Sequence, residues 1–226
     1  MHETPRGRTA SNGAGQVSRR GLLVGSGLVL GGAATGVLSP ARARAGTGSF
    51  PDGAGTTAGT EVPAVDVRPG DLRYPALTTG YNQRFSGTPA YVAVVTTPEQ
   101  CLAAVREAVA AGRRVTVRGG GHCYEGFVSD NPGGAVIDLS GMRAVAQDQD
   151  GGVALQAGCT NWDVYELLYK SYGVTLPGGS CYSVGLGGHV VGGGYGLMSR
   201  EHGLTVDYLD AVDVIVVDAN RRVRAV

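Results

Sequence analysis

Pro177–Gly196 reads PGGSCYSVGLGGHVVGGGYG, and nine of its twenty residues are glycine. A backbone this bare is either a flexible linker or a stretch that must come very close to something. Val184, Val190, Val191, Tyr195 and Leu197 are set among the glycines. They read as core anchors, which a linker does not need, so close approach is the favoured reading. Gly185, Gly187 and Gly188, then Gly192, Gly193, Gly194 and Gly196, strip two consecutive passes of chain. A planar, phosphate-bearing ligand could lie against such a surface. The run also carries one thiol, Cys181, and one imidazole, His189.

A second glycine cluster, Arg118-Gly119-Gly120-Gly121-His122-Cys123-Tyr124-Glu125, follows the strand-like RVTVR of 114–118. Successive glycines at a strand end let backbone N–H groups turn inward as an anion-binding nest suited to phosphate. A Rossmann turn needs a helix opening at the glycines. Here the turn residues Gly126, Asn131-Pro132 and Gly133-Gly134 follow instead. A P-loop is excluded because no Gly-Lys-Ser/Thr occurs.

Around these loops the pattern alternates. YVAVVT (91–96) predicts a strand, and Thr97-Pro98-Glu99-Gln100 a capped helix start. Leu102, Val105, Val109 and Ala110 would form that helix's apolar face, ended by Gly112. Strands are predicted at 114–118, 134–140 and 152–158. A second helix would be capped by Asn161 and bury Val164, Leu167 and Leu168. The glycine run reads as irregular, and 209–218 as a buried strand with a hairpin return. The order predicts an α+β fold with a mixed sheet. The chain stops inside the returning strand at Val226, so the expectation is either a domain truncated at its C-terminus or a sheet completed by something outside this sequence.

The 226 residues, 42% hydrophobic, suit one core with flanking segments. The net charge of zero combines two unlike parts. Residues 1–45 hold six arginines against one glutamate, and the remainder 13 basic against 18 acidic residues. The acidic remainder argues against nucleic acid or an anionic membrane as partner. Lys170, the one lysine, falls on a predicted surface helix and is discounted for Schiff-base chemistry. Ser18-Arg19-Arg20, an uncharged stretch to Ser39, and Ala43-Arg44-Ala45 resemble a twin-arginine export signal over 1–45. That pathway carries folded proteins, often with cofactor inserted, and implies a secreted protein free of the membrane after cleavage. A transmembrane helix is the competing reading, disfavoured by the glycines and alanines and by the cleavage site. Residues 46–70 lack periodicity and read as a mobile linker, within a linker and N-terminal arm over 46–85.

Four cysteines in an exported chain allow two disulfides with three pairings, and counting alone favours them. Cys101 and Cys159 also read as packing residues. Cys123 and Cys181 lie in glycine-rich loops. Zinc is disfavoured by the lack of CxxC or HxxxH spacing.

RGGGHCYEGF together with PGGSCYSVGLGGHVVGGGYGLMSREHGLTVDYL resembles the berberine-bridge-enzyme-like flavin oxidases. Their FAD sits in the PCMH-type domain of vanillyl-alcohol oxidases. The likeness covers about 86–226, and the wording is most similar to bacterial bicovalent sugar and glycopeptide hexose oxidases. It implies FAD bonded through its 8α-methyl to His122 and through C6 to Cys181. It further implies Arg118, Gly119–Gly121, Cys123 and Tyr124 around the pyrophosphate and flavin edge. Val184, Gly185, Gly187, Gly188, Gly193 and Gly194 would lie along the cofactor. His189 would stand near the ribityl chain and N1–C2=O edge; a structural histidine bonded to backbone is the alternative. The implied reaction moves a hydride from an alcohol or hemiacetal carbon of a small hydroxylated substrate to flavin, with dioxygen yielding hydrogen peroxide. Gly119 stands where many relatives have serine. The family's substrate domain and its catalytic base would fall beyond Val226. A cofactor-binding module without catalysis is the alternative for the chain itself.

Overall fold

The structure, a computed structural model, describes residues 22–24, 62–147 and 152–226. The expected export signal (apart from 22–24) and residues 46–61 of the expected linker lie outside the described residues. In chain order the elements are β1 (Leu22–Val24), β2 (Val65–Val67), α1 (Tyr74–Thr78), β3 (Tyr91–Val94), α2 (Pro98–Ala110), β4 (Val115–Arg118), β5 (Ala135–Asp138), β6 (Val145–Gln147), β7 (Val153–Leu155), α3 (Asn161–Tyr172), α4 (Leu186–Val191), α5 (Ser199–His202), a 3₁₀ turn (Thr205–Tyr208), β8 (Ile215–Val217) and β9 (Val223–Ala225).

Four strands form a mixed sheet in the order β2-β3-β5-β4, antiparallel only at β2–β3. Three more run β1-β7-β6, and β8-β9 is a separate hairpin. All four residues of β5 are buried, which is why AVID reads as a continuous run rather than an alternating one. Tyr91, Ala93 and Val95 pack with Ile137 against α2. Val67, Val92 and Val136 pack on Tyr74 and Leu77 of α1. Residues 65–67 were expected in the linker; instead they pair antiparallel with β3, Val67 opposite Val92 and buried with it, as an edge strand of the sheet.

Both long helices begin by side-chain capping. Thr97 accepts from the Gln100 N–H at 3.2 Å, while the Gln100 amide oxygen reaches back to the Thr96 N–H at 2.8 Å. The buried face of α2 is Cys101, Ala104, Val105 and Ala108; Val109 is at its margin and Ala110 is exposed. In α3 the cap is Thr160, not Asn161, and Asp163 closes the capping box. Val164 and Leu168 are buried there, whereas Leu167 is 37% exposed. That one-residue shift of the cap makes Asn161 the first helical residue and frees its side chain.

The glycine run departs most from expectation. Leu186–Val191 is a short helix, and Leu186 and Val190 join Val153, Leu155, Val164 and Leu168 in one cluster. Val191, Tyr195 and Leu197 are 79%, 76% and 88% exposed and anchor nothing in the described core. The expected buried strand over 209–218 shortens to Ile215–Val217, none of it buried. Its hairpin is extended by Val214 and Val226, which exchange backbone bonds of 2.8 and 2.9 Å.

All four cysteines are free thiols. Burial pushes Cys101 up to about 11 and Cys159 up to about 12, as packing residues should behave. The phase of α3 gives a direct check. Leu168→Ala should cost about 2–5 kcal/mol in urea unfolding, and Leu167→Ala about 0.5 kcal/mol or less.

Candidate functional site

The two glycine-rich segments wall one cleft of about 860 Å³, toward the upper end of the roughly 300–1,000 Å³ typical of small-molecule sites. Arg118, Gly119–Gly121, His122, Cys123, Tyr124, Cys181, Val184, Gly185, Gly188, His189 and Gly194 all line it. Gly187 and Gly193 do not. Gly187 faces the protein: its N–H bonds Ala157 O at 3.1 Å, and a Cβ there would stand 2.9 Å from that of Ala157. Gly193, at φ 92, backs onto Leu204.

The glycines serve two purposes. A Cβ on Gly120 would run into Gly185 N and Ser183 O, and one on Gly185 into Gly120 N. These two backbones touch, so the loop after β4 and the loop before α4 are held together by the lack of side chains. Gly196 is bare for a similar reason, against Gly178. At Gly188 a Cβ would meet nothing within 4 Å, so this position opens the cleft to a ligand. Among the described residues, the N–H groups of Gly120, Gly121, His122 and Cys123 donate to no protein acceptor. Four consecutive unpaired donors on a cleft wall suit an anion.

Arg118 supports this loop from behind. Its Nη1 bonds Asp138 Oδ2 at 2.7 Å, and the Asp138 carboxylate is fully buried and also accepts the Ser140 N–H and hydroxyl. The guanidinium presses on Gly121, where a Cβ would lie 2.7 Å from Nη2. Arg118 borders the cleft, but this charge is committed to Asp138 rather than held out for a phosphate.

His122 is half-buried, with Nε2 2.8 Å from Ser183 Oγ and its ring stacked on Tyr81 at 4.7 Å and 19°. Burial and then the Arg118 charge hold its pKa below the ordinary value, so the ring is neutral at pH 7. Ser183 Oγ is also 3.8 Å from Cys181 Sγ. The Cys181 loop is docked on α3: Asn161 Nδ2 donates to Gly179 O and Cys181 O, each at 3.1 Å, and Tyr165 OH to Gly179 O at 2.6 Å. The Asn161 and Trp162 N–H groups, unpaired within the helix, bond Val184 O and Tyr182 O.

His189 Nε2 accepts the Gly179 N–H at 2.9 Å. Nε2 therefore carries the lone pair, and the neutral ring keeps its proton on Nδ1. Both readings of this histidine are compatible: one nitrogen holds backbone, and the other remains a donor in a residue lining the cleft. Tyr81, Ser183 and Tyr165 were not singled out in the sequence, and Asn161 was named only for its place at the start of a helix. Tyr81 lay in an aperiodic arm, Ser183 carried no motif weight, and Asn161 was read as a cap. Only the CYS spacing, a hydroxyl two residues after the thiol, hinted at Ser183.

Two outcomes test this geometry. Gly120→Ala should destabilise the fold by about 1–3 kcal/mol in urea unfolding, because two backbones must separate. Gly188→Ala, at an open position inside a helix, should hold or slightly raise the unfolding midpoint while weakening occupancy of the cleft by the flavin that the sequence resemblance implies, read as absorbance per protein. Separately, the lowered values of His122 and His189 mean that the unfolded chain takes up protons first as pH falls. Their contribution to stability is complete above the ordinary histidine value near 6.5 and is lost as pH drops through the folded values. The melting temperature should therefore fall on acidification below pH 6.5, with a shallower fall in His189→Gln.

Comparison with known proteins agrees with this cleft. Residues 89–223 match the family model described as FAD binding domain. The chain is 45% identical over 214 residues to aclacinomycin-N/aclacinomycin-A oxidase of Streptomyces galilaeus, covering 93% of this chain and 39% of that protein. It is 44% identical over 160 residues to hexose oxidase of Chondrus crispus, covering 67% of this chain and 29% of that one. Among solved structures it resembles a glycopeptide hexose oxidase complexed with teicoplanin, at TM-score 0.69 and 44% identity over 73% of this chain and 34% of that one. The chain thus spans well under half the length of the relatives it matches. It belongs to the FAD binding domain family, in the group that includes hexose oxidases and berberine bridge enzyme-like proteins.

Proposed function

We propose that this chain is the flavin-attachment part of a secreted oxidase, with FAD tethered through both His122 and Cys181. The observation that carries the reading is the convergence of the two side chains on one hydroxyl. His122 and Cys181 come from separate loops, yet both reach Ser183 Oγ, at 2.8 and 3.8 Å. The chain's residues fit the cofactor in three further ways. The unpaired N–H groups of 120–123 suit a pyrophosphate, the bare Gly188 leaves room for a flat ring, and His189 retains a ring N–H.

Bound FAD would supply a hydride acceptor for an alcohol or hemiacetal carbon, reoxidised by dioxygen to hydrogen peroxide. The protein's own part is to keep His122 neutral and oriented, to seat the phosphates on backbone donors, and to place the His189 proton toward developing negative charge. A hydroxylated sugar or sugar-bearing natural product is the proposed substrate, by analogy with the relatives' names. No described residue is given the role of catalytic base in this reading; that role falls to the part of the relatives' length that this chain does not span. Export by the twin-arginine route rests on the Ser18-Arg19-Arg20 segment.

Acid precipitation of the purified full-length protein tests the tethers. The expected pellet stays yellow. Cys181→Ala should keep one bond, through His122, with a shifted spectrum, and the His122→Ala, Cys181→Ala double variant should release all colour into the supernatant. A wild-type pellet that loses its colour would sink covalent attachment while leaving FAD binding intact.

A further inference from the structure

We propose that Ser183 is the positioning residue for flavin attachment, holding His122 with Nδ1 free to react and keeping the Cys181 sulfur beside the same hydroxyl. The inference rests on the reading of His122 and Cys181 as tethers. A neutral imidazole has one N–H and one lone pair, and only the lone pair can form a bond to carbon. Nε2 is committed to Ser183 at 2.8 Å. A serine hydroxyl has one hydrogen to give and two lone pairs. Cys181 Sγ, 3.8 Å from Oγ, offers that hydrogen an acceptor; in the proposed arrangement the hydrogen is taken up there, so that Oγ meets His122 as an acceptor and Nε2 carries the proton. Nδ1 then holds the lone pair, and among the described residues it has no hydrogen-bond partner.

The surroundings resist any rearrangement. Tyr81 lies on the His122 ring at 4.7 Å and fixes its plane, and a flip within that plane would withdraw Nε2 from Ser183 Oγ. The Ser183 carbonyl packs against Gly120, two residues from His122, so the hydroxyl and the ring are carried by backbones in contact. No other hydroxyl or carboxylate is hydrogen-bonded to His122 among the described residues.

The attachment step balances as an addition followed by an oxidation. His122 Nδ1 forms a bond to the 8α carbon as that carbon loses one hydrogen, whose bonding electron pair reduces the flavin. The imidazole, briefly cationic, sheds its Nε2 proton through Ser183. Both displaced protons and both electrons then reside on the reduced flavin, and dioxygen removes them as hydrogen peroxide.

The test uses full-length protein from riboflavin-starved cells, incubated with FAD and sampled for intact mass under denaturing conditions. Cys181 is kept, because its sulfur takes part in placing the Ser183 hydrogen, and peptide mapping after digestion separates the His122 bond from the Cys181 bond. Ser183→Ala should slow attachment by about ten- to a hundredfold, the worth of one hydrogen bond to a group that becomes charged. Ser183→Thr, which keeps the hydroxyl, should attach at close to the parent rate. NMR of the His122 ring nitrogens in the flavin-free protein supplies a readout independent of turnover: Nε2 protonated with serine or threonine at 183, and a mixture of tautomers with alanine. Equal attachment rates for serine and alanine would overturn the proposal. So would an Nδ1-protonated ring in the wild type, a measurement that stands even if Ser183→Ala fails to fold. Wild-type protein that binds FAD but never gains its mass would overturn the tether reading instead, and the proposal with it.

Discussion

The contact between the Gly120 and Gly185 backbones is the joint on which the site depends. These residues belong to separate loops, one after β4 and one between α3 and α4. Each could approach only because the other lacks a Cβ. Their contact sets the spacing between His122 and Ser183, and through Ser183 the position of Cys181. Everything chemical in the cleft is arranged around a place where there are no side chains.

Each loop is secured on its outer side by a different device. The β4 loop leans on the Arg118–Asp138 pair, whose carboxylate is fully buried and saturated by Ser140. A buried charge of this kind is tolerated because every acceptor is used. The Tyr81 N–H fastens the same loop at Gly121 O, and Asn82 Nδ2 fastens it at Tyr124 O. The Cys181 loop is held by the first turn of α3, where helical N–H groups that have no internal partner find carbonyls at 182 and 184. Backbone polarity left over from one element is used to fix another, so the thiol stands on a rigid support rather than a free loop.

Much of this was legible in the sequence, and the losses have identifiable causes. The β-branched runs at 91–96 and 134–140 and the Thr97-Pro98 start were readable because they depend on local propensity and capping. The phase of α3 slipped by one residue because Thr160 and Asn161 are both competent caps, and only the Asp163 side chain decides between them. The helix Leu186–Val191 was hidden, since glycine at 187 and 188 weakens any helical signal. It forms because Leu186 and Val190 are buried in a cluster assembled from β7 and α3. Tyr81 and Ser183 could not be found by motif, because their importance lies in touching His122 across the fold.

The sequence by itself determined that two glycine-rich segments stand apart from the rest of the chain, that His122 and Cys181 lie in them, and that the surrounding domain is α+β. These are properties of residue type and spacing, which local sterics translate directly into loops, strands and helices. The tertiary structure decided what each glycine is for. Gly120 and Gly185 let protein meet protein, Gly187 meets Ala157, and Gly188 leaves space. A missing Cβ looks the same in every glycine. What occupies the space it leaves is a matter of which distant segment packs there, and only the assembled fold contains that information.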